Sequence, residues 1–442
     1  MKRLILMVSV LLISASTLVF GGGQQGASSN AAAGTKVQVW GGHSGNDRVA
    51  IDQIIAAYNA GNPVQQVEYI YVTGDMTDIT KLLTAVRAGT GPDVYLLDRF
   101  TVGERAAQGV LEDITDRLKA IDPNLKDKYL EFAWNEAQFR GRTYALPWET
   151  DARAIYYRKD ILRDAGIDVS ILDPSRGPVT IAQLTEIANK LNVTDAQGNY
   201  TRIGFIPWAA QGWHYTFGFV FGGKFADLAA GKVTPMDRGV VAAYQYFYDT
   251  GKALGPQKVR TFLSTYDPPN LPPEQSPFYQ GNLPIMITGD WEIANIREYA
   301  PNIDYGITWL PIAKAGDKST SFAGGWSMVI PTGAKNVDGG VRFMAYATGE
   351  AGQRVFAKVS GHLPTWKSLL NDNSLFSERH QFFRELLPLA QSRPVLPMHA
   401  FYWDQLTAAQ NDVSMNLKTP EEALRSVESQ SQAQLNRFLP LQ

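Results

Sequence analysis

Three strand patterns separated by two helix patterns follow a short N-terminal stretch, and this alternation constrains the fold most. Residues 36–40, 67–72 and 93–97 are short and rich in β-branched and aromatic side chains, as strands are. Residues 47–60 and 75–88 carry apolar side chains at helical spacing and end at glycines. Because parallel strands need long crossover connections, this order predicts a parallel sheet covered by helices.

The same alternation returns over the rest of the chain. A length of 442 residues is too great for one small core, and the usual domain size suggests two or three domains. The pattern predicts two α/β lobes, with the chain crossing between them more than once. Further strands are expected at 152–157, 203–207, 284–288, 303–310 and 328–331, and further helices at 181–191 (capped by Thr180), 239–250, 337–348, 378–387 and 420–438.

Composition narrows the class of protein. Hydrophobic residues make up 45% and charged residues 19% of the chain, which is typical of a soluble globular protein. The net charge of −2 is not the basic footprint of a nucleic-acid binder, so no nucleic-acid partner is expected. The chain contains no cysteine, which excludes disulfides, thiolate metal sites and cysteine nucleophiles.

The N-terminus has the features of a secretory signal peptide. Lys2 and Arg3 precede an apolar run over residues 4–20 that ends in small residues, the usual order in such peptides. We predict a signal peptide over 1–21 and a flexible linker over 22–35. The alternative is an N-terminal membrane anchor, for which the run is short. A periplasmic or extracytoplasmic protein without a lipid anchor is expected, since no cysteine follows the run.

Sequence motifs for metals and cofactors are absent. The five histidines are scattered and form no zinc-binding pair. The Gly-x-Gly at 89–91 follows a helix pattern, whereas a dinucleotide site needs a strand there. Neither a metal nor a cofactor is expected, and no catalytic residue is assigned. Acidic pairs such as Glu149 and Asp151 could serve glycoside hydrolysis, so a secreted glycoside-active enzyme using Glu149 or Asp98 is an alternative.

Three segments carry a resemblance to a known family. They are 91–100 (GPDVYLLDRF), 144–150 (YALPWET) and 286–291 (MITGDW), the last followed by Trp-Leu-Pro at 309–311 and Gly-Gly-Trp-Ser at 324–327. Their content and order resemble the family 1 extracellular solute-binding proteins of sugar ABC importers, which include maltose-binding protein. The resemblance covers nearly the whole chain after the linker.

This resemblance implies a fold and a function. The fold is the periplasmic-binding-protein type II-like one, an α/β fold with two lobes joined by a multi-crossing hinge. Matching the segments assigns 36–148 plus 312–373 to lobe one and 149–311 plus 374–442 to lobe two. The implied function is capture of a carbohydrate by a monomer and its delivery to the membrane permease of an ABC importer. A sugar sensor subunit for a membrane receptor is an alternative.

Polar candidates for the sugar site lie at strand ends and at the presumed hinge. Asp98 and Arg99 follow the strand at 93–97 directly, and ligands of open α/β sheets bind outside the carboxyl ends of strands. The resemblance implies that both contact sugar, the alternative being a solvated ion pair. It implies the same for Glu149 at the hinge, with Asp151 as a further candidate.

Aromatic and glycine candidates complete the set. The resemblance implies that the ring of Trp291 stacks on sugar, and that Gly325, in the loop before Trp326, lets backbone amides approach the ligand. Trp326 either stacks on sugar or packs in the core. Further candidates, each with a core or solvent role as the alternative, are Trp213, Tyr402, Trp403, His43 and Ser44.

Overall fold

A computed structural model describes residues 36–73 and 79–441. The predicted signal peptide over 1–21 and linker over 22–35 lie outside the described residues. No helix within the described ranges has the length and apolar character needed to cross a membrane.

A five-stranded sheet forms the first half of the fold. Its strands lie in the order Val67–Tyr71, Val37–Gly41, Val94–Asp98, Trp326–Val329 and Ala145–Pro147. The first three are parallel, as the alternation of strands and helices predicts. The last two each run antiparallel to the preceding strand. Strand Trp326–Val329 comes more than 200 residues after the central strand Val94–Asp98, so its pairing joins two distant parts of the chain.

Helices cover this sheet and complete its core. Gly45–Gly61 connects the first two strands and buries one face, formed by Ala50, Ile51, Ile54, Ile55 and Tyr58. Glu350–Ser360 packs along Gly45–Gly61, and Val337–Ala347 packs beside both. Apolar side chains of these helices and of the sheet form one continuous cluster. The helical spacing in the sequence thus produces the expected buried face.

A second, smaller sheet has its own core. Ala154–Arg158 lies between Ile285–Thr288 and Tyr305–Thr308 and runs antiparallel to both. All five of its residues are buried. A bundle of three mutually packed helices, Arg238–Leu254, His399–Ser414 and Pro420–Leu435, builds the largest apolar cluster on this side. The two sheets therefore bury separate sets of side chains, as expected for two lobes.

Short strand pairs lie where the chain passes between the two sheets. Glu149–Thr150 pairs with Leu363–Pro364. Ser321–Phe322 pairs in parallel with Ala390–Gln391, and Ile312 bridges Thr180. The last two pairings join residues 312–322, assigned above to lobe one, to residues assigned to lobe two. The lobe boundaries themselves stay a prediction.

One predicted strand is wrong. Residues 203–207 form no strand, although their backbone runs beside Ile285–Thr288. The Gly204 amide donates instead to the Asn192 side chain at 2.8 Å. A Cβ at Gly204 would lie 2.1 Å from the carbonyl oxygen of Ala188, so the backbone here packs directly on the preceding helix. This packing on the helix takes the place of regular strand pairing at residues 203–207.

The remaining elements are short or lie on the periphery. The other helices are Thr80–Arg87, Val102–Ala107, Thr115–Ile121, Glu131–Glu136, Lys159–Asp164, Ile181–Leu191, His214–Val220, Pro256–Tyr266, Pro277–Gln280, Glu292–Tyr299, Lys367–Leu370 and Glu378–Leu386. The other strands are Gln138–Phe139, Arg142–Thr143, Val193–Thr194, Tyr200–Arg202, Ala226–Asp227 and Lys232–Val233.

Helix Ile181–Leu191 allows a direct test of a local stabilising contact. The predicted Thr180 cap is confirmed: its side chain accepts from the Gln183 amide, and the Gln183 side chain accepts from the Thr180 amide. Thr180→Ala should lower the free energy of unfolding by about 1 kcal/mol, because the Gln183 amide loses the hydroxyl that accepts its hydrogen bond. Urea denaturation measures the change. Ser44→Ala is the control, since Ser44 caps Gly45–Gly61 without a side-chain hydrogen bond; equal losses would contradict the prediction.

Candidate functional site

Side chains from both sheets meet near the ends of their strands. Asp98 ends the central strand of the first sheet and is the register partner of Trp326. Trp291 follows Ile285–Thr288 of the second sheet. Glu149 lies in the short strand pair between the sheets. These strand ends position the polar and aromatic groups of the site.

Four half-buried tryptophans contribute aromatic surface. They are Trp213, Trp291, Trp326 and Trp403. Trp213 and Trp403 meet edge to face, with ring centroids 5.1 Å apart. Trp326 meets the buried His43 ring edge to face at 4.8 Å. A half-buried indole is held rigidly by its neighbours and still presents apolar surface to a ligand.

Arg153 connects two of these tryptophans. Its guanidinium carbon lies 4.8 Å from the ring centroid of Trp291 and 5.8 Å from that of Trp213. Asp151 forms an ion pair with it, and Gln211 accepts a hydrogen bond from its Nε at 3.1 Å. The cation is thus neutralised and lies against aromatic faces, an arrangement that stabilises a buried guanidinium.

Arg393, like Arg153, pairs with a carboxylate and lies against aromatic side chains. It donates to Asp98 Oδ1 at 3.0 Å. Its guanidinium carbon lies 3.9 Å from the ring centroid of Phe100 and 5.5 Å from that of Trp403. Asp98 is therefore ion-paired across the two sheets.

Glu149 and His362 close the circuit of contacts. Glu149 Oε1 accepts from the Trp326 amide at 2.5 Å, and its Oε2 lies 3.1 Å from His362 Nδ1. The His362 ring stacks on Trp291 with centroids 5.3 Å apart and an interplanar angle of 27°. These contacts form a closed circuit of nine residues, and we call the whole set the aromatic ring. Its members are Trp326, Glu149, His362, Trp291, Arg153, Trp213, Trp403, Arg393 and Asp98.

Burial and charge set the ionisation of the site. Burial alone would lower the pKa of His362, but Glu149 and Asp47 outweigh it and raise the pKa well above its usual value. Burial lowers the pKa of His43 to about 4, so this imidazole is neutral. Burial also raises the pKa of Asp290 well above that of an ordinary carboxyl group. The site therefore holds one charged and one neutral histidine.

The structure brings most of the sequence-predicted residues together. In the aromatic ring, or in contact with a member of it, lie His43, Asp98, Glu149, Asp151, Trp213, Trp291, Trp326 and Trp403. Tyr402 lies elsewhere: it is fully buried in the core of the second sheet, and its hydroxyl donates to the Phe225 carbonyl at 2.9 Å. Ser44 is exposed beside His43. A sugar contact by Tyr402 or Ser44 stays a prediction.

Arg99 and Gly325 lie behind the aromatic ring. Arg99 is fully buried and donates to Glu136 at 2.6 Å, to the Glu149 carbonyl at 2.6 Å and to the Gly324 carbonyl at 2.5 Å. Gly325 has a φ of 133°. Every nitrogen of the Arg99 guanidinium therefore has a protein acceptor, which makes the side chain a clamp; its predicted sugar contact stays a prediction.

Three members of the aromatic ring were missed by the sequence analysis: Arg153, His362 and Arg393. A signal for Arg153 was present, because Glu149, Asp151 and Arg153 alternate along an extended stretch and such residues share a face. Nothing in the local sequence singles out His362 or Arg393. Their contacts depend on segments more than 200 residues away along the chain for His362 and nearly 300 for Arg393.

Comparison with known proteins identifies the family to which this sequence belongs. A family model described as bacterial extracellular solute-binding protein matches residues 43–354, more than half of the chain. The chain belongs to this family of extracellular solute-binding proteins. The resemblance drawn from the three sequence segments is thereby confirmed. Members of the family are binding proteins, and the family description agrees with the predicted extracytoplasmic class.

Individual relatives agree with this assignment. The maltotriose-binding protein of Pyrococcus abyssi (strain GE5 / Orsay) is 24% identical over 395 residues, which cover 88% of this chain and 79% of the relative. The mannobiose-bound structure of CpMnBP1 has a TM-score of 0.78 at 24% identity and covers 90% of this chain and 99% of that one. The structure of UgpB from Mycobacterium tuberculosis, in complex with glycerophosphocholine, has a TM-score of 0.73 at 21% identity and covers 91% of this chain and 99% of that one. The predicted fold class is confirmed.

Gly325 provides a test of how the site is framed. A Cβ at this position would lie 2.4 Å from the Glu149 carbonyl oxygen and 2.6 Å from Arg99 Nη1. Gly325→Ala should lower the free energy of unfolding by about 2–5 kcal/mol, through backbone strain and steric overlap. Differential scanning calorimetry and urea denaturation measure the change.

Gly316→Ala is the matched control. Gly316 also has a positive φ, of 89°, but a Cβ added there would meet no neighbouring heavy atom within 4 Å. Gly316→Ala should lower the free energy of unfolding by only about 1–2 kcal/mol, which is the cost of the left-handed backbone alone. Equal losses in the two variants would show that the Arg99 clamp does not exclude a side chain at Gly325.

Proposed function

We propose that this chain captures a carbohydrate between its two lobes and delivers it to the permease of an ABC importer. The observation that carries this proposal is the aromatic ring, in which half-buried tryptophans alternate with ion-paired polar groups. The ligand would stabilise a closed state by contacting both lobes at once. The importer would then bind the closed form.

The chemistry of the aromatic ring suits a sugar. A sugar presents hydroxyl groups around its edge and C–H groups on its faces. Indole rings pack on such faces with little loss of rotamer entropy. Carboxylates and guanidinium groups form charge-assisted hydrogen bonds with hydroxyls. Both kinds of group alternate along this ring, so one ligand could meet both.

Charge pairing favours an uncharged sugar over a phosphorylated ligand. A phosphate would have to displace a carboxylate from its cation, at a cost in electrostatic energy. Each of the three cations of the aromatic ring already faces a carboxylate: Arg153 with Asp151, Arg393 with Asp98, and His362 with Glu149. This pairing supports a neutral carbohydrate as the ligand. It argues against a glycerol phosphate ester such as the glycerophosphocholine bound to UgpB.

Relatives support the same ligand class. One is named for maltotriose and another has mannobiose bound. Four tryptophans in one site offer more stacking surface than a single sugar unit covers, which favours a disaccharide or a short oligosaccharide. Secretion through the signal peptide over 1–21, the absence of a lipid anchor and a monomeric state are parts of the same proposal.

Two other functions would use the same residues. A glycoside-active enzyme would need a free carboxyl group, whereas Glu149 and Asp98 are each engaged by protein donors or cations. Incubation with a labelled oligosaccharide separates the two, because a binding protein returns it unchanged. A sensor subunit would bind sugar equally well, and a pull-down with membrane receptors and permeases would distinguish it.

A ligand panel tests the proposed function directly. The chain from residue 22 onward would be heated with neutral mono-, di- and oligosaccharides, polyols and glycerol phosphates. A ligand at about 100 times its dissociation constant should add about 2.7 kcal/mol of stability. We expect a shift in melting temperature with a neutral di- or oligosaccharide. A shift with glycerol phosphates alone would contradict the charge argument, and no shift with any carbohydrate would contradict the proposal.

Trp291 tests the stacking role. Trp291→Ala should weaken binding of the responding sugar by about 1–3 kcal/mol, as loss of a large aromatic contact does. Isothermal titration calorimetry measures the affinity. Trp309→Ala is the matched control, because Trp309 is also half-buried but packs on Phe382 and donates to the Pro174 carbonyl, outside the aromatic ring. Unchanged affinity for Trp291→Ala would contradict the stacking role.

A further inference from the structure

His362 occupies an unusual position within the aromatic ring. It follows helix Glu350–Ser360 through Gly361, whose φ of 86° turns the chain. Its imidazole is stacked between two aromatic rings, with centroid distances of 5.3 Å to Trp291 and 5.5 Å to Phe356. Only 10% of its side chain is exposed. Packing against these two rings thus holds the imidazole in place.

Both ring nitrogens of His362 face carboxylates. Nδ1 lies 3.1 Å from Glu149 Oε2, and Nε2 lies 3.6 Å from Asp47 Oδ1. Among the described residues, Nδ1 has no hydrogen-bond partner despite its distance to Glu149, and 3.6 Å is too long for a hydrogen bond from Nε2. Both contacts are therefore contacts between charges, and a protonated imidazole lies between two carboxylates that would otherwise repel each other. This placement favours the cation.

We propose that His362 is a cationic positioning residue of the ligand site: its imidazolium holds Glu149 and Asp47 together and supports the Trp291 ring, so that ligand affinity depends on its charge. The inference rests on the proposed function, since it names a residue that prepares the same site. Its effect on the ligand is exerted through Glu149 and Trp291.

The link to the ligand runs through two contacts. Glu149 uses its other oxygen to accept from the Trp326 amide, so the position of Trp326 depends on the orientation of this carboxylate. Trp291 stacks on the imidazole on one side and on the Arg153 guanidinium on another. Loss of the charge on His362 would leave Glu149 without a cation and would weaken the contact between the imidazole and Trp291, because a neutral ring makes no cation–π interaction.

Other titratable groups around His362 do not replace it. His43, on the turn before helix Gly45–Gly61, is neutral because burial lowers its pKa to about 4. Asp290 accepts from the Leu363 amide at 2.8 Å, and burial raises its pKa. Asp151 is paired with Arg153. Glu149 and Asp47 therefore have His362 as their nearest titratable cation among these groups.

The pH dependence follows from the sign of the shift. Glu149 and Asp47 raise the pKa of His362 above that of an unfolded histidine, despite the opposing effect of burial. The stabilisation is therefore fully present below the unfolded pKa of about 6.5 and is lost as the pH rises through the folded pKa. Ligand affinity should follow the same course, constant near neutrality and falling on the alkaline side.

A ligand-free experiment tests the charge. Histidine side-chain NMR of the full chain, titrated from pH 5 to pH 10, should show His362 protonated at pH 7, where His380 is neutral. His380 is the internal control: it is buried and hydrogen-bonded to the Ser377 hydroxyl, and its pKa is lowered to about 4 mainly by burial, with smaller effects of the charges on Arg297 and His362. A neutral His362 at pH 7 would overturn the proposal, whether or not any sugar binds.

A second ligand-free measurement tests the support of Trp291. A protonated imidazole in contact with an indole quenches its fluorescence. The emission difference between the wild type and Trp291→Phe should therefore increase as His362 loses its proton, and His362→Gln should abolish this change. A difference that stays constant while the NMR signal titrates would show that the imidazolium does not act on Trp291, and would overturn the positioning role.

Binding of mannobiose and maltotriose then tests the consequence. His362→Gln should reduce affinity at pH 7 by about 10- to 100-fold, the loss expected for a charge-assisted contact, and should remove the alkaline fall in affinity. His380→Gln should leave both unchanged. Wild-type affinity and pH profile in His362→Gln would overturn the proposal.

The outcomes for the two proposals can be told apart. If no carbohydrate binds the wild type, the proposed function fails, and the NMR and fluorescence titrations alone decide whether His362 is the positioning cation. If sugar binds but affinity is independent of pH while His362 titrates, the proposed function stands and the role of His362 falls. The NMR titration uses the wild type alone, so this test of the charge does not depend on the folding of His362→Gln.

Discussion

The buried guanidinium of Arg99 is the interaction on which the site depends. It pairs with Glu136 and donates to the carbonyls of Glu149 and Gly324, with no exposed surface. Burying a cation is costly unless it is hydrogen-bonded and has a counterion. Those conditions are met only when three distant segments converge. The Arg99 clamp therefore fixes the backbone on which Glu149 and Trp326 are presented, and it requires a glycine at 325.

The aromatic ring uses the same principle nearer the surface. Each cation faces an acid, and each guanidinium of the ring also lies against aromatic faces. Such pairs contribute little net stability when buried but specify geometry. Every cation of the aromatic ring thus has a carboxylate partner before a ligand arrives. Selectivity would then depend on the match of hydroxyl groups and apolar faces, since no cation of the aromatic ring is left to attract an anion.

Local pattern predicted much of the fold and part of the site. The alternation over residues 36–97 was sufficient for the parallel strands, because spacing of apolar residues alone specifies buried faces. The prediction for residues 203–207 failed because the Gly204 amide donates to a side chain and its backbone packs directly on a helix. The sequence could not separate two adjacent aromatic residues: Trp403 lies in the aromatic ring, whereas Tyr402, about 100° around the helix, packs in the core. His362 was missed because its partners are remote in sequence.

One of the connections between the two sheets is very short. Ser321–Phe322 is paired with a strand of the second side and Trp326–Val329 with the central strand of the first. Only residues 323–325 separate the two pairings, and Arg99 binds the carbonyls of Gly324 and Gly325, the latter through its own amide. At this connection, any rotation would therefore be confined to a few torsion angles. A small change in those angles would move the outer parts of the two halves by a much larger distance.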